Sequence, residues 1–486
     1  MAQRIDTKKL IDENPFGAYQ IWVFLLCFLA ATVDGYDVQV IGVAVPGLRD
    51  SLHLEPATIG VFLTAGQIGV MLGAFCLGPV ADRIGRKRML IATALIFGFF
   101  SFLTAFVTNL TELVALRLLS GLGMGGIVPA AMSYGSEYAP RRLRATITTL
   151  VWMALPVGGM IAGFSSILLL PAFGWPSLFV VAGVLPLVLV ILLAISMPES
   201  LTFLSTRGGD QAAMRRIAQR IAPQMQMAPD AVLYASEEKL PGVPLKHLFT
   251  EGRALGTILL WIIFFLSFFL MIFCVSWIPT FVRNASGSTT AAGTSLMAWN
   301  IGSLIATAAI GQAIDRLGYY RILPAGFILI AVAAWVLGAQ LAAPVAMVVV
   351  LVGVLGFFTG GSNSGLMALA SNSYPVAIRS TGVGAAYSLG GRTGALMGPM
   401  LGGILLQYHF SPGVICAVMG SPMLLGALVL LFLQRQSHSA THERPRWRIS
   451  LRPARNEDVL RQLAYARGRP QPALNGLKPS RVNGRA

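Results

Sequence analysis

Two stretches, GPVADRIGRKR at residues 78–88 and GQAIDRLGYYR at residues 311–321, carry the same Gly-x-x-x-Asp-Arg-x-Gly pattern. Gly78, Asp82, Arg83 and Gly85 in the first correspond to Gly311, Asp315, Arg316 and Gly318 in the second, 233 residues later. A further match follows each. EYAPRRLRAT (137–146) and NSYPVAIRST (372–381) align Pro140 with Pro375 and Arg144 with Arg379, at an offset of 235. All four segments follow directly on apolar runs. The chain therefore repeats a unit of apolar runs and basic turns, which is the layout of a transporter made of two related helix bundles.

The composition agrees. Of 486 residues, 55% are hydrophobic and only 12% charged, against about 25% charged in an ordinary soluble domain. Mean hydropathy is +0.70. Runs of the roughly 20 apolar residues needed to cross a bilayer predict twelve spans: 19–45, 57–80, 88–107, 110–136, 145–170, 174–196, 256–282, 290–314, 321–340, 344–372, 380–408 and 412–434. The first is too long for the core of a cleavable signal peptide. The expected architecture is an all-α membrane protein: a cytoplasmic N-terminus 1–18, a six-helix bundle 19–196, a cytoplasmic linker 197–255, a second six-helix bundle 256–434 and a basic cytoplasmic tail 435–486.

Basic residues orient the chain. With the N-terminus in the cytoplasm, all 36 Lys and Arg but four fall on the cytoplasmic side; Arg49 and Arg283 face outward, and Arg117 and Arg392 lie within spans. This asymmetry accounts for the net charge of +16 without nucleic acid as a partner. The tail is expected to be a disordered segment near anionic headgroups. In the linker, Met214, Ile217 and Ile221 recur at helical spacing among Arg215, Arg216 and Arg220. They predict a helix near 210–221, lying either in the membrane interface or on the bundles. The four cysteines (27, 76, 274 and 416) sit in apolar runs without metal spacing, and the five histidines are scattered. Neither disulfides, a metal nor a cofactor is expected. The spans hold no nucleophile–base pair and no phosphate loop, which argues against an enzyme.

Within the first span, ATVDGYDVQV (31–40) places Asp34 and Asp37 in an otherwise uncharged run. Each costs about 2.5–3.5 kcal/mol at the bilayer centre, so a pathway role is expected over purely structural ion pairing. At a rise of about 1.5 Å per residue, Asp34 lies about 20 Å up its span, and Arg117 about 11 Å down the fourth from the opposite side. In a core of about 30 Å these levels coincide, so a cluster of Asp34, Asp37 and Arg117 is allowed. Arg392 lies about 18 Å up the eleventh span, near the midplane. The four charges sum to zero; protonating one aspartate leaves a net positive site suited to a carboxylate. Arg392, whose fork matches a carboxylate, is favoured for that anion, because Arg117 has an internal partner available. Trp299, Asn300, Asn363 and Tyr387 are candidates to line the cavity, or else to glue helices together. Asp82 and Glu137, with Arg86 and Arg144, and the repeat's Asp315 and Arg316, stand at helix ends. They read as gate residues that hold one state closed by salt bridges, or as turn chemistry around Gly85. The glycines of GLGMGG (121–126) and GPMLGG (398–403) read as close-packing surfaces.

These residues resemble the major facilitator superfamily, whose familiar loop signature is matched by Asp82-Arg83-x-Gly85-Arg86-Lys87. A narrower resemblance is to the aromatic acid:proton symporter family. It rests on Asp34-Gly35-Tyr36-Asp37, the 82–88 loop, RLLSGLGMGG (117–126) running to Glu137 and Pro140, and GGRTGALMGP (390–399). It covers roughly residues 15–435. MPESLTFL (197–204) is similar to a PESPRFL-type signature but lacks its second proline and its arginine. The resemblance implies a bacterial inner-membrane carrier of the 4-hydroxybenzoate or protocatechuate type, serving aromatic catabolism, with Asp34 and Asp37 needed for proton coupling and with Asp82, Glu137, Arg117 and Arg392 also required. It implies alternating access without a cofactor, and a monomer is expected. Carriers of muconate, sugars or drugs remain alternatives, as does a sensor built on a carrier scaffold.

Overall fold

The computed structural model describes residues 4–206, 210–225, 228, 231–234, 245–250, 253–374 and 378–442. The side chain of Asp82, Pro375 and the tail from 443 onward lie outside the described residues.

The first bundle comprises α2 (Ala18–Leu52), α3 (Pro56–Ile84), α4 (Arg86–Leu103), α5 (Leu110–Glu137), α6 (Arg144–Phe173) and α7 (Pro176–Ser196). Ahead of it stand a short strand β1 (Arg4–Asp6) and α1 (Thr7–Glu13). The linker region contributes α8 (Leu201–Thr206), α9 (Gln211–Ile221) and β2 (Val232–Tyr234). The second bundle comprises α10 (Ala254–Ser286), α11 (Thr289–Leu317), α12 (Tyr319–Ala339), α13 (Val345–Ser373), α14 (Arg379–Ala385), α15 (Arg392–Gln407), α16 (Pro412–Gly420) and α17 (Pro422–His442).

Eleven spans among the described residues are long and apolar enough to cross a membrane. The remaining span, the eleventh in order and expected at 380–408, is one helical run in three pieces, with residues 386–391 wound as a π-helix between α14 and α15. Several helices outrun their apolar spans. α2 continues through Arg49 and Asp50 to Leu52, because helical hydrogen bonding persists where hydropathy has already fallen.

The repeat is visible in the backbone. Gly85 begins α4 with φ +99°, and Gly318 begins α12 with φ +83°. Both turns need a residue free of the Cβ penalty. Pairs of helices meet through glycine. A Cβ on Gly35 would sit on the carbonyl oxygen of Leu155, and one on Gly158 on that of Thr32, so α2 and α6 touch backbone to backbone. Gly121 and Gly125 seat α5 against α3, and Gly394 and Gly398 seat α15 against α10.

The ends of the bundles differ. The side opposite the linker is sealed. Thr280 Oγ1 donates to Gly42 O at 3.1 Å, Gln407 Nε2 to Glu55 at 3.2 Å, and Arg283 pairs with Asp50 at 3.8 Å. One apolar core runs there from α2 and α7 of the first bundle into the second, whereas the linker-side core of the first bundle is separate. Hydrogen bonds and ion pairs that join the bundles are found at the midplane and on this sealed side.

The linker helix is found at Gln211–Ile221, and its position is on the protein. Met214, Ile217, Ala218 and Ile221 are buried in the first bundle's linker-side core. Arg220 stacks over Tyr19 at 5.6 Å. The N-terminal segment adds a feature that hydropathy did not indicate: β1 pairs in parallel with β2, Ile5 opposite Leu233.

Candidate functional site

A cavity of about 140 Å³ lies between the bundles, lined mainly by apolar side chains with a few polar ones. Asp34, Trp299, Asn300, Asn363, Tyr387 and Arg392 all line it. Asp37 and Arg117 do not line it.

Asp37 and Arg117 form a closed unit behind the wall. Arg117 Nη2 lies 2.5 Å from Asp37 Oδ2, with side-chain exposures of 3% and 0%. Ser101 Oγ donates to Asp37 Oδ1 at 2.9 Å, and Arg117 Nη1 donates to Ser120 Oγ at 3.4 Å. Three helices, α2, α4 and α5, thus share one ion pair. The approach is allowed because Gly66 on α3 leaves room for the arginine stem: a Cβ there would come within 3.3 Å of Arg117 Cγ.

Asp34 stands apart from that unit. It is buried, faces the cavity and has no hydrogen bond or ion pair among the described residues. The three-residue spacing explains the division. Residues three apart on a helix point about 60° from each other, enough to aim one aspartate at α5 and the other into the cavity.

Arg392 is half-buried and has no carboxylate partner among the described residues; its Nε is buried and unbonded. Its guanidinium lies 5.2 Å from the Tyr387 ring centroid. Tyr387 is held edge-on by Phe268 of the same bundle at 5.3 Å and by Trp152 of the other bundle at 5.6 Å. The π-helical turn links the two cavity residues, since the N–H of Arg392 bonds to Tyr387 O, five residues back. Single wide turns of this kind recur at functional sites.

The two asparagines are more heavily engaged than the aromatic residues. Asn300 Nδ2 donates to Gln39 Oε1 and to Leu296 O, both at 2.8 Å. Asn363 accepts from Ser267 at 3.0 Å and donates to Thr359 O at 3.1 Å. Gln39 and Gln67 also line the cavity. Sequence reasoning passed over both, although each is a polar residue inside an apolar run.

On the linker side, Glu137 pairs with Arg86 and accepts from Ser200 Oγ at 2.5 Å. Glu199 accepts from the backbone N–H of Lys87 at 3.1 Å, and Arg144 pairs with Asp12 at 3.4 Å. Every partner here belongs to the first bundle or to the segments docked on it, so these contacts clamp the linker's start and α1 rather than bridge the two bundles. Glu199 and Ser200 belong to MPESLTFL, whose departure from the usual signature hid their part. Asp315 and Arg316 are exposed and make no such contacts among the described residues.

The family model described as Major Facilitator Superfamily matches residues 27–299 and 284–473. The chain is 33% identical to the 4-hydroxybenzoate transporter PcaK of Pseudomonas aeruginosa, across 90% of this chain and 97% of that one. It is 33% identical to a gallate transporter of Pseudomonas putida, across 88% and 94%. A benzoate transport protein of Acinetobacter baylyi is 29% identical, across 89% and 93%. Among solved structures, a D-xylose-proton symporter superposes with TM-score 0.67 at 18% identity, covering 85% of this chain and 97% of that one. The partially occluded inward-open xylose transporter XylE from E. coli gives 0.65 at 20%, covering 86% and 99%.

Proposed function

The chain belongs to the Major Facilitator Superfamily, and on that premise we propose that it is a carrier, not an enzyme, that imports a small aromatic carboxylate of the 4-hydroxybenzoate or protocatechuate type together with protons. The observation that carries this reading is Arg392: a guanidinium without a carboxylate partner among the described residues, set on an aromatic ring in a mainly apolar cavity that Asp34 also lines. An aromatic acid needs these features, a fork for its carboxylate and ring edges and faces for its body. The names of the relatives point the same way.

The roles divide between the two aspartates. Asp37 is paired with Arg117 and fixes the site's geometry. Asp34 takes and releases the transported proton. With Asp34 protonated the cavity holds one net positive charge, that of Arg392, and accepts one carboxylate. Because Arg117 is committed to Asp37, one arginine is left for the substrate, which favours a monocarboxylate over a dicarboxylate such as muconate. Loaded with both, the site is neutral, and the bundles rock about it. The linker side is cytoplasmic, the membrane is the bacterial inner membrane, and the closed opposite side corresponds to an inward-facing state of a monomer.

The test is uptake of labelled 4-hydroxybenzoate into proteoliposomes, with and without an inward proton gradient, against protocatechuate, benzoate, muconate and glucose as competitors. Gradient-driven uptake blocked by aromatic acids supports the reading. Uptake blocked by glucose or muconate alone overturns it.

A further inference from the structure

The amides that sequence offers for a substrate hydroxyl are largely committed, Asn300 to Gln39 and Asn363 to Ser267 and Thr359. A different pair in the same cavity is not. Thr307 on α11 and Ser364 on α13 both line the cavity, with their hydroxyl oxygens 3.0 Å apart. Hydroxyls in membrane helices commonly bond back to the carbonyl one turn earlier. Thr32, Ser166, Thr294, Ser295 and Thr359 all do so here. Thr307 and Ser364 make no such bond among the described residues. Their mutual bond uses one of their two donors, so a donor and several lone pairs remain for a third hydroxyl. A phenol, itself both donor and acceptor, is the matching ligand.

The pair stands across from Arg392. α15 packs on α3, α11 packs on α6, and α10 lies between α15 and α11. The two helices therefore flank the cavity at its opposite seams. Arg392 lies about 20 Å from the linker-side start of its helical run, and Thr307 about 15 Å from the linker-side end of α11, within about one turn of the same level. Gln67 sits on α3 and so on the Arg392 flank. A ring held by its carboxylate at Arg392 turns its remote edge toward α11 and α13.

We infer that Thr307 and Ser364 form the subsite that reads the ring hydroxyl, and so set the preference for hydroxylated aromatic acids over bare benzoate. This rests on the aromatic-acid reading of the cavity.

The experiment compares KM for labelled 4-hydroxybenzoate and for labelled benzoate in proteoliposomes of the full chain, for wild type, Thr307→Val, Ser364→Ala and Thr307→Ser. Thr307→Val keeps the side chain's shape and removes its hydroxyl. The expected result is a preference for 4-hydroxybenzoate that falls about five- to tenfold in the first two variants, the range of one lost hydrogen bond. Benzoate KM should stay within about twofold, and Thr307→Ser should keep the preference. An unchanged preference in both hydroxyl-free variants, or an equal loss for both acids, overturns the inference while leaving the carrier reading standing. Uptake of neither acid by wild type overturns the aromatic-acid reading, and this inference with it.

Discussion

Asp37 and Arg117 hold each other at 2.5 Å with almost no exposure to solvent, three residues along the chain from an aspartate that has no partner among the described residues. Within one motif, the fold pairs one carboxylate with an arginine and turns its neighbour into the cavity. Two carboxylates with the same sequence context thus acquire different chemistry from the direction in which each points.

Breaking the pair should therefore cost stability where altering its neighbour does not. Asp37→Asn leaves Arg117 buried without its counter-ion, at about 3–5 kcal/mol. Thermal unfolding of the detergent-solubilised protein should move down markedly for Asp37→Asn and by little for Asp34→Asn. Equal melting temperatures would contradict this division of labour.

Asp34→Asn should uncouple the carrier. Accumulation against a gradient is expected to disappear, while exchange of labelled for unlabelled substrate across the membrane continues. Counterflow in proteoliposomes at equal pH separates the two. Accumulation that survives in this variant would remove the proton from Asp34.

For Arg392→Lys the charge persists but the bidentate fork is lost, together with the broad stacking surface over Tyr387. Substrate KM should rise about tenfold or more, the size of a charge-assisted hydrogen bond, with protein yield unaffected. An unchanged KM would send the carboxylate elsewhere in the cavity.

Gly35→Ala tests the backbone contact of α2 with α6, where an added methyl meets the carbonyl of Leu155. Overpacking of this kind costs about 1–3 kcal/mol. Lower thermal stability and reduced uptake should appear together, whereas Gly384→Ala, whose added methyl meets nothing, should resemble wild type in melting temperature.

Much of this was legible from sequence because bilayers constrain the chain so strongly. Apolar length marked where helices run, and axial rise alone brought Arg117 to the level of the two aspartates. Axial rise carries no angular information about a partner helix, so the choice of Asp37 over Asp34 became visible only in three dimensions. The eleventh span was found by hydropathy, but its wide turn at 386–391 has no compositional mark. The clamp of Glu199 and Ser200 was hidden by a degenerate motif. Here the backbone of Lys87 and the carboxylate of Glu137 do the binding, so the missing proline and arginine did not abolish it. The pairing of β1 with β2 joins residues more than two hundred positions apart, in strands of three residues each, too short for any periodicity to register.

The wide turn ahead of Arg392 has a consequence for how this cavity is specified. A π-helical turn holds an extra residue, so it resets the angular phase of the helix beyond it. In an unbroken α-helix the same arginine would be rotated by about 100° around the axis. The wide turn absorbs that extra residue, so the guanidinium keeps the direction that an α-helix one residue shorter would give it. Deleting Ser388 would make the Arg392 N–H to Tyr387 O bond an ordinary α-helical one and keep this charge on the cavity, whereas a loss or insertion that the turn does not absorb would swing it away by about 100°.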